Sequence, residues 1–176
     1  MAFRRLFVAA LFVSVAGCVA APPQPKPTPP VATPTPRPAS TPTPAPTYTS
    51  WMDVPQTPGD WRYGPVAGGS AARFGDTASE PRFALTCSGP SRIELVRYGP
   101  FSADAPMTVR TESATRTLAG VPATDRGALR AVISASDPLL DAMAFSKGRF
   151  AIEAGSTPPL YLPSWPEVTR VIEDCR

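Results

Sequence analysis

The stretch Arg82-Phe83-Ala84-Leu85-Thr86-Cys87, followed by Ser88-Gly89-Pro90 and then Ser91-Arg92-Ile93-Glu94-Leu95-Val96-Arg97-Tyr98, decides the fold class. Its first part alternates, which predicts a strand with Phe83, Leu85 and Cys87 on one face. Ser88-Gly89-Pro90 reads as a turn. The second part places Ile93, Leu95 and Arg97 on one face and Val96 and Tyr98 on the other, so both faces of this strand are expected to be partly covered.

Working outward, the same period-two pattern recurs. Met107 to Thr111 reads as a short strand that pairs with Ser113 to Leu118 across a connection centred on Glu112. Ala128 to Ser134 is compatible with a helix by its alanines, but Leu129, Ala131 and Ile133 alternate, and strand is the reading adopted. Arg149 to Glu153 sets Phe150 beside Ile152, and Leu160 to Leu162 supplies a partner after the turn from Gly155 to Pro159. Two helices interrupt the strands. Asp137 followed by Pro138 is an N-cap with proline at the first helical position, and Leu139, Leu140 and Met143 share an apolar face before Ser146-Lys147-Gly148 stops the helix. Ser164-Trp165-Pro166-Glu167 matches a capping box, and Val168, Val171, Ile172 and Cys175 then recur at helical spacing. The expected fold is mainly β, a small β-sandwich-like domain with a short helix and a C-terminal capping helix.

The flanking composition sets the domain count. The chain has 176 residues, of which 25 are Pro and none is His. About half of residues 22–46 are proline, in Thr-Pro and Ala-Pro pairs with only Lys26 and Arg37 charged. Each proline removes an amide donor and disfavours helix in the residue before it, so this segment is expected to be a disordered, polyproline-II-rich tether. At ~3.1 Å per residue, residues 19–60 reach roughly 130 Å when fully extended. Docking of the tract into an aromatic-lined groove, and association with the cell wall, are the alternatives to a plain spacer. What remains, 61–176, is enough for one small domain.

The N-terminus reads Met1-Ala2-Phe3-Arg4-Arg5, then an apolar run from Leu6 to Val15, then Ala16-Gly17-Cys18. The run is short for a permanent membrane span and has the length of an export leader's apolar region. Val15-Ala16-Gly17-Cys18 resembles the lipobox of bacterial lipoproteins. That resemblance implies a signal peptide over 1–17, removal of the leader and acylation of Cys18, which would anchor the protein to a lipid bilayer without a transmembrane helix. Val19, where an Asp is the family's inner-membrane retention signal, points to the outer membrane. The expected organisation is therefore a leader, a lipidated Pro/Thr-rich tether over 18–60 and a β-rich envelope domain over 61–176. The formal charge is +3, and without Arg4 and Arg5 it falls to +1, too small a dispersed excess to suggest a nucleic-acid partner.

With Cys18 given to lipid, Cys87 and Cys175 remain. Export permits oxidation, and a Cys87–Cys175 bridge would contribute roughly 2–4 kcal/mol. The alternative is a pair of free buried thiols; a redox role lacks the CxxC spacing.

Candidate chemistry has to be found without histidine, which excludes His-based triads and His-containing zinc sites within the chain. Asp137 and Asp141 lie one helical turn apart, and Glu173 and Asp174 lie beside Arg170 and Arg176; capping, helix-dipole and local ion-pair roles compete with a carboxylate/arginine site. Ser146-Lys147 lacks the Ser-x-x-Lys spacing, and Gly68-Gly69-Ser70 lacks the context of a phosphate loop or nucleophile elbow, so both read as turns. Arg82, Arg92, Arg97, Arg110 and Arg149 are interspersed with acids and have no stacking platform beside them. Trp61, Tyr63, Tyr161 and Trp165 form the candidate binding surface for glycan or peptide, against a packing role for the same rings.

The ending, Phe145-Ser146-Lys147-Gly148-Arg149-Phe150-Ala151-Ile152-Glu153-Ala154-Gly155 and then Leu160 to Arg176, resembles small uncharacterised envelope proteins of alphaproteobacteria and, more faintly, the invasion-associated locus B family of exported β-sandwich proteins. The resemblance implies architecture and compartment and supplies no catalytic residues. The expectation is a noncatalytic envelope lipoprotein with a structural or protein-interaction role, needing no cofactor or metal and meeting an envelope protein or cell-wall component. A peptide- or glycan-binding module and an enzyme with a carboxylate/arginine site are the alternatives.

Overall fold

The computed structural model describes Gln24, 46–123 and 127–176. The expected leader, Cys18, and residues 19–23 and 25–45 of the expected tether lie outside the described residues. The compact unit runs from Ala45 to Arg176 and is mainly β. Its strands are β1 (Asp60–Val66), β2 (Gly69–Gly75), β3 (Pro81–Cys87), β4 (Arg92–Tyr98), β5 (Ala105–Arg110), β6 (Thr115–Ala123), β7 (Ala128–Ser134), β8 (Arg149–Ala154) and β9 (Leu160–Pro163), with helices α1 (Pro138–Ala144) and α2 (Pro166–Asp174).

All pairings are antiparallel, in the order β1-β2-β3-β4-β7-β6-β5-β8-β9. The sandwich-like character comes from one nine-stranded sheet curled on itself. Strand β6 makes the corner: Thr115 to Gly120 pair with β5, whereas Val121 to Ala123 pair with β7. Strands that change partners in this way bend at the change. Gly120 sits at the bend because no side chain fits there; a Cβ would lie 2.6 Å from Leu129 Cγ and 2.7 Å from Ala105 O.

The β3–β4 pair follows its sequence pattern, with Phe83, Leu85, Ile93 and Leu95 buried inside the curl. Ala128 to Ser134 is a strand, as its alternation requires, because it is hydrogen-bonded on both sides by β4 and β6 and turns Leu129, Ala131 and Ile133 inward. The β1–β2 hairpin was hidden in the sequence by Gly64, Pro65 and Gly69. Pro65 is tolerated because β1 is an edge strand, and the two-residue turn Ala67-Gly68 uses Gly68 at φ 83°.

The two edges of the sheet are brought close by Trp61. Its ring is 5.3 Å from Phe74, 6.2 Å from Phe83 and 6.4 Å from Phe150, and its indole N–H donates to Pro163 O on β9 at 2.8 Å. The residues before β1, assigned to the tether by composition, take part in this closure. Thr57 N–H donates to Tyr161 O at 2.9 Å, Tyr161 N–H donates to the Thr57 hydroxyl at 2.8 Å, and Arg149 donates to Val54 O.

Helix α1 is capped as its sequence predicts, Leu139 N–H donating to Asp137 Oδ1 at 2.9 Å. The capping box expected for α2 does not form. Trp165 occupies the N-cap without a side-chain bond, and the Ser164 hydroxyl donates instead to Met143 O at 2.9 Å, tying β9 to α1. Helix α2 buries Val168, Val171 and Ile172 and packs on β1, β2, β3 and α1.

Candidate functional site

The last three residues each bind a different element. Asp174 accepts from Tyr63 Oη on β1 and Ser70 Oγ on β2, both at 2.6 Å. Cys175 lies at disulfide distance from Cys87 at the end of β3, with Cα atoms 5.5 Å apart. Arg176 donates to Ala135 O at 2.9 Å and to Asp141 Oδ1 at 2.7 Å. The Arg170 guanidinium stacks 4.2 Å from the centre of the Tyr63 ring. The carboxylate/arginine set at this end is thereby divided among structural contacts, and only Glu173 of the four is left facing outward without one among the described residues.

Asp137 and Asp141 are likewise separated in role. Asp137 caps α1 and accepts two bonds from Arg116, at 2.8 and 2.7 Å, while Asp141 pairs with Arg176. The Arg116 bonds hold the Asp137 carboxyl below its ordinary 3.8, against the opposing effect of burial and with help from the Leu139 amide and the Arg116 charge. The Ser70 and Tyr63 hydroxyls do the same for Asp174, assisted by the charge of Arg170. A carboxyl whose pKa is lowered by folding stabilises the native state above its unfolded value, and loses that effect as pH falls through the folded value. Stability is therefore expected to drop as pH is taken below about 3.8, and Asp137→Asn and Asp174→Asn are each expected to flatten that drop. Urea midpoints measured across the acid range check it.

The adjacent Ser146 and Lys147 are also committed. Ser146 Oγ donates to Arg149 O at 2.5 Å and accepts from Glu112 N–H at 3.1 Å, and Lys147 pairs with Glu112 at 2.9 Å. Gly68 turns the β1–β2 hairpin, and Gly69 lies so near Cys87 that a Cβ would come within 2.5 Å of its carbonyl oxygen. Among the arginines singled out by sequence, Arg82 pairs with Asp76 and Arg110 with Glu153. Arg97 is buried and donates to the carbonyls of Arg82, Tyr98 and Pro158; burial, then the charge of Arg82, lowers its pKa.

The four aromatic residues expected as one binding surface are dispersed. Trp61 is 5% exposed and belongs to the core, because the closing of the curl needs a large ring there. Tyr63 is half-buried under Arg170, and Tyr161 is half-buried on β9. Trp165 alone of the four is exposed, at 39%, and with Pro166, Thr169, Arg170 and Glu173 it lines a shallow depression of about 510 Å³. Phe145, 77% exposed, follows α1 two residues beyond the Met143 carbonyl that binds Ser164.

A more enclosed cleft of about 270 Å³, which the sequence did not disclose, lies on the opposite face of the β2–β3–β4–β7 sheet and is lined by Arg73, Thr86, Glu94, Tyr98 and Arg130. Among the described residues no group of three or more Cys, Asp or Glu is placed to hold a metal, and no helix is long and apolar enough to cross a membrane. No protein-family model, curated protein or solved structure matches the chain.

Proposed function

We propose that this chain is a noncatalytic envelope lipoprotein, anchored through Cys18, whose β domain meets an envelope protein or cell-wall component. The anchor rests on the lipobox Val15-Ala16-Gly17-Cys18 behind a short apolar leader, and outer-membrane sorting on Val19 in place of an aspartate. The noncatalytic reading is supported by one observation above others. Of the side chains with candidate chemistry, Ser146, Lys147, Asp137, Asp141, Asp174 and Arg176 are each engaged in a hydrogen bond or ion pair within the domain, and Glu173 faces outward.

The surface favoured for contact is the end of the domain bearing Trp165, where an exposed indole lies beside Arg170 and Glu173. An aromatic ring flanked by both signs of charge also suits a peptide or glycan, and this is the second reading. Cys18→Ser is expected to abolish recovery of the protein with membranes, and unchanged recovery would rule out the lipid as sole anchor. A photo-crosslinker at Thr169 in intact cells is expected to capture a defined partner, with capture reduced by Trp165→Ala. Capture insensitive to Trp165→Ala would move the contact elsewhere on the domain.

A further inference from the structure

The outward face of β2, β3, β4 and β7 carries a second arrangement that none of the clamps explains. Arg73, Ala84, Val96 and Arg130 are consecutive cross-strand partners, forming one row over four strands. At ~4.8 Å per step, the two arginine backbones stand roughly 14 Å apart. Between them Ala84 is buried, and Val96, with Ala123 and Ala128, supplies the apolar part of the cleft's lining. In the next row Thr86 faces Glu94, and on the other side Tyr98 faces Ala128. The lining is thus mostly polar, with Arg73, Thr86, Glu94, Tyr98 and Arg130 around a small apolar part.

The lining's hydrogen-bonding capacity is largely unspent. Among the described residues Arg73 makes neither an ion pair nor a side-chain hydrogen bond, and the hydroxyls of Thr86 and Tyr98 make none. Arg130 approaches Glu94 only to 3.6 Å, and its buried Nε has no partner. A buried donor left unpaired is unfavourable, and a guanidinium is best satisfied by a planar, bidentate oxyanion. Among the described lining residues, two arginines against one glutamate leave a net charge of +1, which suits a single negative charge. Glu94, with its side chain 20% exposed, accepts hydrogen bonds, and Tyr98 and Thr86 both donate and accept, so ligand hydroxyls are matched as well. The cleft's volume is below the range for drug-sized ligands and admits one sugar-sized unit.

We propose that the Arg73–Arg130 cleft binds a small hydroxylated carboxylate of the sugar-acid class, its carboxylate bridging the two guanidiniums and its hydroxyls meeting Glu94, Tyr98 and Thr86. This site is on a different face from Trp165 and is independent of the anchoring and docking described above. Its paired arginines are the complement of an anion-binding site.

The test is titration of the full chain in detergent with glucuronate, glucose 6-phosphate, glucose and acetate at matched ionic strength, followed by calorimetry and by the arginine Nε–Hε resonances. Saturable glucuronate binding is expected, with glucose and acetate each at least tenfold weaker, since each lacks one half of the complement. Arg73→Met and Arg130→Met are each expected to weaken glucuronate at least tenfold, Arg130→Lys by less, and Tyr98→Phe by a few-fold with folding unaffected. Lys147→Met, between α1 and β8 and outside the cleft's lining, serves as the charge control and is expected to leave binding unchanged. Glucose binding equal to glucuronate, or binding indifferent to Tyr98→Phe and both methionine variants, would overturn the proposal. Tighter binding of glucose 6-phosphate would overturn the assignment of the anion as a carboxylate.

Discussion

Trp61→Ala is expected to destabilise the domain by about 3–5 kcal/mol, the range for removing a buried aromatic side chain. Three effects add at this position. The indole fills the space between Phe74, Phe83 and Phe150, so its loss leaves a cavity that a curled sheet cannot readily collapse. Its N–H is the donor to Pro163 O, so a buried carbonyl on β9 is left without that partner. It also links the first strand of the sheet to the last, and the Thr57–Tyr161 bonds next to it depend on the same closure. Domains hold only about 5–15 kcal/mol in total, so the variant is expected to lose a large fraction of its stability. Trp165→Ala, by contrast, removes an exposed ring and is expected to change stability by no more than about 0.5 kcal/mol. Urea unfolding of the two variants separates a core tryptophan from a surface one. Equal effects would refute the assignment of Trp61 to the core.

The difference between these two tryptophans marks where pattern reading stops. Alternation in Arg82 to Cys87 and in Arg92 to Tyr98 identified β3 and β4 because each presents large apolar residues at every second position on the inner face. Strand β2 gave no such signal, because Ala71 and Ala72 are both buried on opposite faces and glycine stands at either end. Trp61 offered an aromatic ring next to a proline-rich segment, and nothing local to it says that the sheet's far edge comes back to meet it. Ser164 and Glu167 had the spacing of a capping box, but β9 runs on to Pro163 and the Ser164 hydroxyl meets the Met143 carbonyl first. Tertiary contact there outweighed local propensity.

The arginine cleft was illegible for a related reason. Arg73, Glu94 and Arg130 are each ordinary outward-facing residues in their own strands. They converge only because β7 pairs with β4 after two intervening strands have left for the other side of the curl. The Cys87–Cys175 proximity, by contrast, could be expected from counting, since setting Cys18 aside for the proposed lipid leaves a single pairing.

That pairing sets the second large expected effect. Cys175→Ser is expected to lower stability by about 2–5 kcal/mol under oxidising conditions, and reductant is expected to do the same to the native chain. The bridge would join residues 88 apart in sequence, a long loop whose closure restricts the unfolded chain strongly. Its native-state role is local. Cys175 is flanked by Asp174 and Arg176, whose bonds to Tyr63, Ser70, Ala135 and Asp141 require the end of α2 to stay against β3. Release of the cysteine frees the last turn of α2, and those partly exposed bonds alone are weak restraints. Cys87→Ser is expected to match Cys175→Ser, and the double variant to add little to either, because one bond is lost in all three. Intact mass without reductant reads the bond itself as the absence of two hydrogens. If the cysteines were two buried thiols, reductant would leave the urea midpoint unmoved, whereas a bridge makes the midpoint of the native chain fall to that of the serine variants.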